Sequence, residues 1–484
     1  MTTTSIPSPR PDGAAIAIPP TPTALPGPEE PLADSVQNAY DVAVVGGGIA
    51  GMAACVFLRE AGFRVVCLEA REYPHQKVGE SLDWSSPGLL ARLGLPVQEL
   101  IADEVATFKK NIVVCELGRP DWDAKPPAGL RRAPLRFETV TLQVDREALD
   151  QRVFERARDL GADFIWERAA RVETQGDRVT ACVTDTGRRV TARWYIDATG
   201  TQRRFAQALD ISKTEYGRQK VALWTYFDTP MANEGTTFFV DNADAYLSWV
   251  WEIPISPTRS SVGFVLPAEA MEVRRRAGAG VQDVMRTELA RFPRFQSLLA
   301  ARPELKVERT AFRPYVSARV CGPNWFLAGE AASMPDPLTG NGVTSAIRHA
   351  RYATEAIVAA GAAGEISADR QRWYGRHVQR LGHSFNAHIE HAVYQHRLRW
   401  GLGVPTATVV YTVFGFFMNA LYARFDPRRP LGMACFEVLF LGARLWIAAW
   451  SLVARAALLL RRPAPRPSAA LGLAAQVGSP EGRR

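Results

Sequence analysis

Apolar and polar residues change their period several times along this chain. Residues 40–72, YDVAVVGGGIAGMAACVFLREAGFRVVCLEARE, begin with an apolar run, pass through a glycine cluster into helically spaced apolar residues, and end in a second apolar run. That order predicts strand, tight turn, helix and strand, a βαβ unit. Residues 188–202, RRVTARWYIDATGTQ, predict a strand that ends in a small-residue turn at Asp197, Ala198, Thr199 and Gly200. Residues 324–350, NWFLAGEAASMPDPLTGNGVTSAIRHA, predict a strand, a loop carrying Gly329, Glu330, Asp336 and Pro337, and a helix opened by Gly340, Asn341 and Gly342. Between these, residues 205–318 alternate in short runs such as VALWTYFDT, GTTFFV and SSVGFVLP. Period two predicts an antiparallel sheet, read here as the floor of a substrate pocket. Residues 366–399 mix polar and apolar positions and predict a helical segment.

The two ends follow other rules. Residues 1–39 are rich in proline and threonine, lack the charged-then-apolar order of a secretory signal, and are expected to be disordered. Residues 400–423, WGLGVPTATVVYTVFGFFMNALYA, carry no charge and are long enough to cross a bilayer. RFDPRRP interrupts them, and Glu437, Arg444 and Arg455 then recur through an apolar stretch like the polar face of an interfacial helix. Two readings stay open for 400–462: helices on the inner face of a cell membrane, or helices packed over the pocket. The Pro/Ala-rich tail, 463–484, is again expected to be disordered.

Composition narrows the classes. With 484 residues, 47% hydrophobic and 22% charged, the chain can bury a large core. The net charge of +8 is spread rather than blocked, and no zinc-finger spacing or aromatic-interleaved basic run argues for nucleic acid. Cys55, Cys67, Cys115, Cys182, Cys321 and Cys435 form no CxxC pair and read as reduced thiols of a cytoplasmic protein. His383, His388, His391 and His396 fall round a helix rather than on one face, so no metal is expected.

Chemistry enters at the first turn. Gly46, Gly48 and Gly51 form GxGxxG between strand and helix, and Glu69 closes the second strand. Such glycines let the backbone close on a pyrophosphate, the helix N-terminus favours its charge, and the terminal acid suits a ribose hydroxyl. No second fingerprint follows, since Gly278-Ala279-Gly280 has no convincing strand before it, so reducing equivalents are expected from elsewhere. Together with residues 142–164, LQVDREALDQRVFERARDLGADF, these segments resemble the FAD-dependent enzymes of the aromatic-hydroxylase fold. That resemblance implies FAD, with Glu330 at its ribityl or phosphate groups, Arg146 near it, and the Asp336 to Gly342 loop approaching the flavin ring.

One further stretch sharpens the resemblance. In WVWEIP, Trp249 and Trp251 share one strand face while Val250 and Glu252 point away, so the indoles form a wall that either fills a core or lines a site. The hexapeptide resembles the WxWxIP motif of flavin-dependent halogenases, and the likeness runs from Tyr40 to His396. It implies that the tryptophans lie beside the flavin and keep the organic substrate from it. The segment with Gly79, Glu80 and Ser81 is similar to the family's GE[SA] element, shared with geranylgeranyl-reductase-like enzymes. Phe108 and Lys109 match its phenylalanine-lysine pair. Lys109 and Lys110 alternate on a strand, so only one enters the pocket, and Lys109 is the expected one. A separate flavin reductase would supply reduced FAD, and hypohalous acid would pass to Lys109. Backbone amides of Asn341 and Gly342 would hold halide. Thr339 stands where tryptophan halogenases have a glutamate, which points away from free tryptophan and towards phenolic, pyrrolic or lipophilic substrates, free or carrier-tethered.

The expected fold class is therefore α/β: a Rossmann-like FAD-binding domain (40–204 and 319–365), an inserted antiparallel substrate sheet, and an apolar C-terminal helical region. Besides halogenation, an FAD-dependent monooxygenase or geranylgeranyl-reductase-like activity, and a membrane-anchored flavoprotein without catalysis, remain as alternatives.

Overall fold

In the computed structural model the first apolar run becomes the strand Tyr40–Val45, at the centre of a five-stranded parallel sheet. Its neighbours are Val65–Leu68 and then Asp163–Ile165 on one side, and Ala192–Asp197 and then Trp325–Leu327 on the other. The structure describes residues 40–72, 77–83, 85–116, 135–241, 246–361 and 364–394. The expectations for 1–39, for His396, for the apolar stretch 400–462 and for the tail lie outside these residues; among the described ones no helix is long and apolar enough to cross a membrane.

Helix Ile49–Glu60 buries every residue from Ile49 to Leu58, because it packs on the sheet while Arg146–Asp159 and Gly342–Ala360 cover its other sides. Each fully buried aliphatic side chain there contributes about 1.5–3 kcal/mol. Asp145 caps Arg146–Asp159, accepting from the amides of Glu147 and Ala148 at 3.0 and 3.3 Å. That cap fixes the helix start at Arg146 and is worth about 1 kcal/mol.

The second layer is a seven-stranded sheet in the order Glu308–Phe312, Lys220–Asp228, Arg259–Pro267, Trp249–Ser256, Gly235–Val240, Ala106–Glu116, Leu135–Val144. The strands from within 205–318 pair antiparallel, as their alternation leads one to expect, and two strands from before residue 205 extend the sheet, with Gly235–Val240 running parallel to Ala106–Glu116. Alternation reports which residues share a face but carries no information about the partner or direction of a distant strand. One face, with Leu223, Val250, Val262 and Phe264, packs on helices Ala268–Arg276, Val281–Ala290 and Pro293–Ala301. The opposite face carries Trp224, Trp249, Trp251 and Val265 and meets Met334, Leu338, Ile389 and Tyr394. Helix Ala368–His388 is capped by Ser367 and continues into the wider π-helical turns of Ile389–Tyr394, which deliver Tyr394 to that face.

Candidate active site

The glycine turn is shaped by contacts that leave no room for side chains. Gly46 has φ +100°, and a Cβ there would lie 2.5 Å from the Ala198 carbonyl oxygen. A Cβ on Gly51 would lie 1.9 Å from the Gly46 oxygen, so these two glycines let strand, turn and helix close on one another. Gly48 differs: a Cβ there would meet only Lys77 Nζ, at 3.7 Å, and no side chain caps the helix it starts. Its open side and the free first-turn amides suit an anion. Glu69 accepts from the Gly47 amide at 2.5 Å and from the Arg71 amide at 3.1 Å, which holds its carboxylate at the strand end. Across the turn, Asp197 accepts from the Thr199 and Phe205 amides at 2.9 and 2.8 Å and so fixes the Ala198 to Gly200 bend.

Glu330 is exposed, and its Oε2 lies 3.7 Å from where a Gly200 Cβ would be. Desolvation pushes its carboxyl above the usual range, against the opposing pull of Arg146 and Lys77. Gly329 before it has φ +59° and packs on Ala50. Arg146 is buried, forms a two-pronged pair with Asp150 at 3.1 Å on both sides, and donates to the Val78 carbonyl at 2.9 Å. Its guanidinium thereby supports the Gly79-Glu80-Ser81 loop, where Gly79 has φ +114° and a Cβ would clash with Arg146 Nη1 at 2.8 Å.

That loop is where the two ends of the site meet. Lys109 is 6% exposed and donates to Ser81 Oγ at 2.9 Å and to the Leu82 carbonyl at 3.3 Å. Lys110 faces away and pairs with Glu234 at 2.7 Å on the surface. Burial lowers the Lys109 ammonium from its ordinary 10.5 to about 8, while the Asp83 carboxylate opposes the shift. On the other side of Ser81 lies Gly340, φ +62°, whose Cβ would come within 3.0 Å of the Ser81 carbonyl oxygen. Ser81 therefore touches both Lys109 and the loop that leads into Asn341 and Gly342. Asn341 is buried, whereas Gly342 is exposed with nothing nearer its would-be Cβ than Pro335, at 3.8 Å. Asp83 ties the following helix to the same spot, accepting from Thr344 Oγ at 2.7 Å and Arg348 at 3.3 Å.

Trp249 and Trp251 stand on the sheet face turned towards this loop, with ring centroids 5.6 Å apart. Each indole is fixed by its N–H: Trp249 donates to Tyr394 OH at 3.0 Å and Trp251 to Ser261 Oγ at 3.1 Å. Gly263 leaves the room that Trp251 occupies, since a Cβ there would lie 2.4 Å from its Cζ2 and 2.5 Å from the Leu223 oxygen. Gly263→Ala is expected to displace the Trp251 ring and lower stability by about 1–3 kcal/mol, read as a shift in the denaturant midpoint. Unchanged stability and an unchanged indole spectrum would contradict this packing.

The family model for the FAD binding domain matches residues 39–376. The chain belongs to that family. FAD is its cofactor, and the glycine turn, with its open side at Gly48, its uncapped helix start and the Glu69 carboxylate held at the strand end, has a shape and chemistry that fit such a group. Over 371 residues the chain is 28% identical to a tryptophan 2-halogenase of Chondromyces crocatus, covering 70% of this chain and 66% of that protein. It is 26% identical over 348 residues to a Pseudomonas fluorescens chlorinase of pyrrole-2-carbonyl groups on a peptidyl carrier protein, covering 66% and 76%. A menaquinone reductase of Mycolicibacterium smegmatis is also similar, 26% identical over 340 residues, 68% of this chain and 78% of that one. Among solved structures, halogenase PltM with phloroglucinol and FAD shares the fold, with a TM-score of 0.66 at 16% identity over 88% of this chain and 93% of that one. The matches support the flavin-dependent halogenase branch.

In this flavoprotein several residues at the site carried no sequence signal. Lys220 lies far from Glu390 and Tyr394 in the chain and meets them only through the fold. Tyr226 donates to Glu80 at 3.0 Å, again across a long separation. Ser81 was visible in its motif, yet its contact with Lys109 needs the sheet. No group of three or more potential metal ligands occurs among the described residues.

Proposed function

We propose that the protein is an FAD-dependent halogenase that acts on an electron-rich phenolic, pyrrolic or lipophilic substrate, free or tethered to a carrier. The observation that carries this reading is the placement of one buried lysine, Lys109, at a serine that also touches Gly340 of the loop before Asn341 and Gly342. Reduced FAD, delivered by a separate flavin reductase, and O2 supply the oxidation of halide to hypohalous acid. The chain positions and excludes. Asn341 and Gly342 offer backbone amides to halide at the start of a helix whose dipole favours an anion. Trp249 and Trp251 close the sheet side, so that a small oxidant passes where a ring system does not. Lys109 receives it: as a free amine it takes halogen onto nitrogen while the oxygen-halogen bond breaks and hydroxide leaves with the amine proton as water, and as ammonium it holds hypohalous acid by hydrogen bonding. Thr339 bonds within the loop, 2.7 Å from the Asp336 carbonyl oxygen and 2.6 Å from Asn341 Oδ1, and supplies no carboxylate to a substrate. This supports a substrate activated by its own hydroxyl or ring nitrogen over free tryptophan.

The similarity to a menaquinone reductase favours a second reading, an oxidoreductase that reduces a lipophilic substrate at the flavin. One assay separates the two. Protein with FAD, a flavin reductase, NADH and catalase is expected to yield products from a phenol panel whose mass shift requires bromide. Reduced or oxygenated products made equally without bromide would establish the second reading.

A further inference from the structure

Beneath the indole wall lies a buried charged cluster that the halogenation reading does not use. Lys220 and Asp336 are each 1% exposed, Glu390 4% and Tyr394 0%. Trp249 donates to Tyr394 OH, and Tyr394 OH donates to Asp336 Oδ1 at 3.0 Å. Asp336 also accepts from the Leu338 amide at 3.1 Å, and its backbone N–H donates to Asn386 at 3.1 Å. Lys220 Nζ sits 3.3 Å from Asp336, 3.7 Å from Glu390 and 4.3 Å above the Tyr394 ring. Tyr246 stacks on Tyr394 at 5.1 Å and donates to Glu390 at 2.9 Å. One phenol thus joins the wall to the first residue of the loop that runs through Pro337 and Thr339 to Asn341. Burying three ionisable side chains costs several kcal/mol before pairing recovers it, and such clusters are poor sources of net stability. Here the directional bonds run through the Tyr394 hydroxyl and the Asp336 carboxylate and fix their geometry, whereas Lys220 Nζ makes no hydrogen bond among the described residues and contributes its charge between the two carboxylates.

We infer that Tyr394 is a positioning residue: its hydroxyl, backed by the Lys220, Asp336 and Glu390 cluster, locks the Trp249 indole in register with the flavin-facing loop. A loosened indole opens a gap beside the flavin, and oxidant escapes instead of reaching Lys109. This inference rests on the halogenation reading.

Tyr394→Phe removes the hydroxyl and keeps the ring between Lys220 and Tyr246. With FAD bound stoichiometrically, halogenated product per O2 consumed is expected to fall about tenfold, the scale of one lost buried hydrogen bond to a charged group, while O2 consumption persists. The near-ultraviolet difference spectrum against the parent should show a shifted indole band, with or without turnover. In a Trp249→Phe background, Tyr394→Phe should add little to either signal, since interacting residues are non-additive. Full coupling with an unshifted indole band, or additive losses in the double variant, would overturn the positioning role. If Tyr394→Phe does not hold FAD, Lys220→Met with the same readouts replaces it, and parental coupling there would overturn the role equally. A parent without any bromide-dependent product would instead remove the halogenation reading, and with it this inference.

Discussion

Lys109→Met is expected to abolish bromide-dependent product, by at least about a thousandfold, while making the protein more stable. The activity loss follows if oxidised halogen must pause on, or beside, an amine before it meets a carbon; without that group there is nothing to position it, and positioning is worth several kcal/mol. The stability gain follows from burial. An ammonium whose folded value is about 8 against an ordinary 10.5 opposes folding by roughly 3 kcal/mol at neutral pH. Methionine fills similar space but forfeits the bonds to Ser81 and the Leu82 carbonyl, so a net gain of about 1–3 kcal/mol is expected. The pH dependence has a definite sign. Below about 8 the lysine is protonated in both states and the penalty is fully present. Between about 8 and 10.5 the unfolded chain holds the proton and the folded one does not, so parental stability rises with pH across that window and the advantage of Lys109→Met shrinks. Urea midpoints at pH 7 and pH 10 read this directly. A variant less stable than the parent at pH 7 would show that the ammonium is better satisfied than its burial implies. Rate profiles carry a second answer: nitrogen halogenation needs the free amine and gives a rate that climbs towards pH 8, whereas hydrogen bonding of hypohalous acid gives one that falls beyond it.

How far the sequence reached depends on the range of each interaction. The βαβ turn was legible because its pattern lies within residues 40–72 and Gly51 and Glu69 act on their own neighbours there, although Gly46 also closes on the distant Ala198 carbonyl. The shared face of Trp249 and Trp251 was legible for the same reason, period two being a local property. Alternation allowed only one of Lys109 and Lys110 into the pocket and the resemblance to the family's phenylalanine-lysine pair pointed to Lys109; the structure buries Lys109 and leaves Lys110 at the surface. Arg146 shows the limit. Its place near the cofactor came from the resemblance, but its bond to the Val78 carbonyl was not readable, because that pairing is set by how the Gly79 loop lies over the helix. The parallel junction between Gly235–Val240 and Ala106–Glu116, and the meeting of Lys220 with Tyr394, are likewise decided by tertiary packing. Neither leaves a trace in spacing or composition.

The second large effect concerns the cofactor. Gly51→Ala is expected to leave the protein without FAD, weakening binding at least about a hundredfold, although alanine is the better helix former by about 1 kcal/mol. Propensity loses because of where the Cβ would go: 1.9 Å from the Gly46 oxygen and 3.3 Å from Val44 Cγ1. The first contact is with backbone, so no rotamer change relieves it. The helix must slide away from the turn, and that separation breaks the closure by which Gly46 packs on the Ala198 carbonyl and Glu69 on the Gly47 amide. Once those shift, the open amides after Gly48 no longer converge on one pyrophosphate, and the anion site is lost as a unit rather than one bond at a time. Gly48→Ala is the matched control: its Cβ has open space up to 3.7 Å and an extended backbone, so the apoprotein should fold unchanged, and any loss of FAD would come from direct contact with the cofactor. Flavin absorbance of the purified variants and titration of the apoproteins with FAD distinguish the cases. Retention of FAD by Gly51→Ala would mean that the turn relaxes around an added methyl group, and the close packing of its two glycines would then not be what shapes the site.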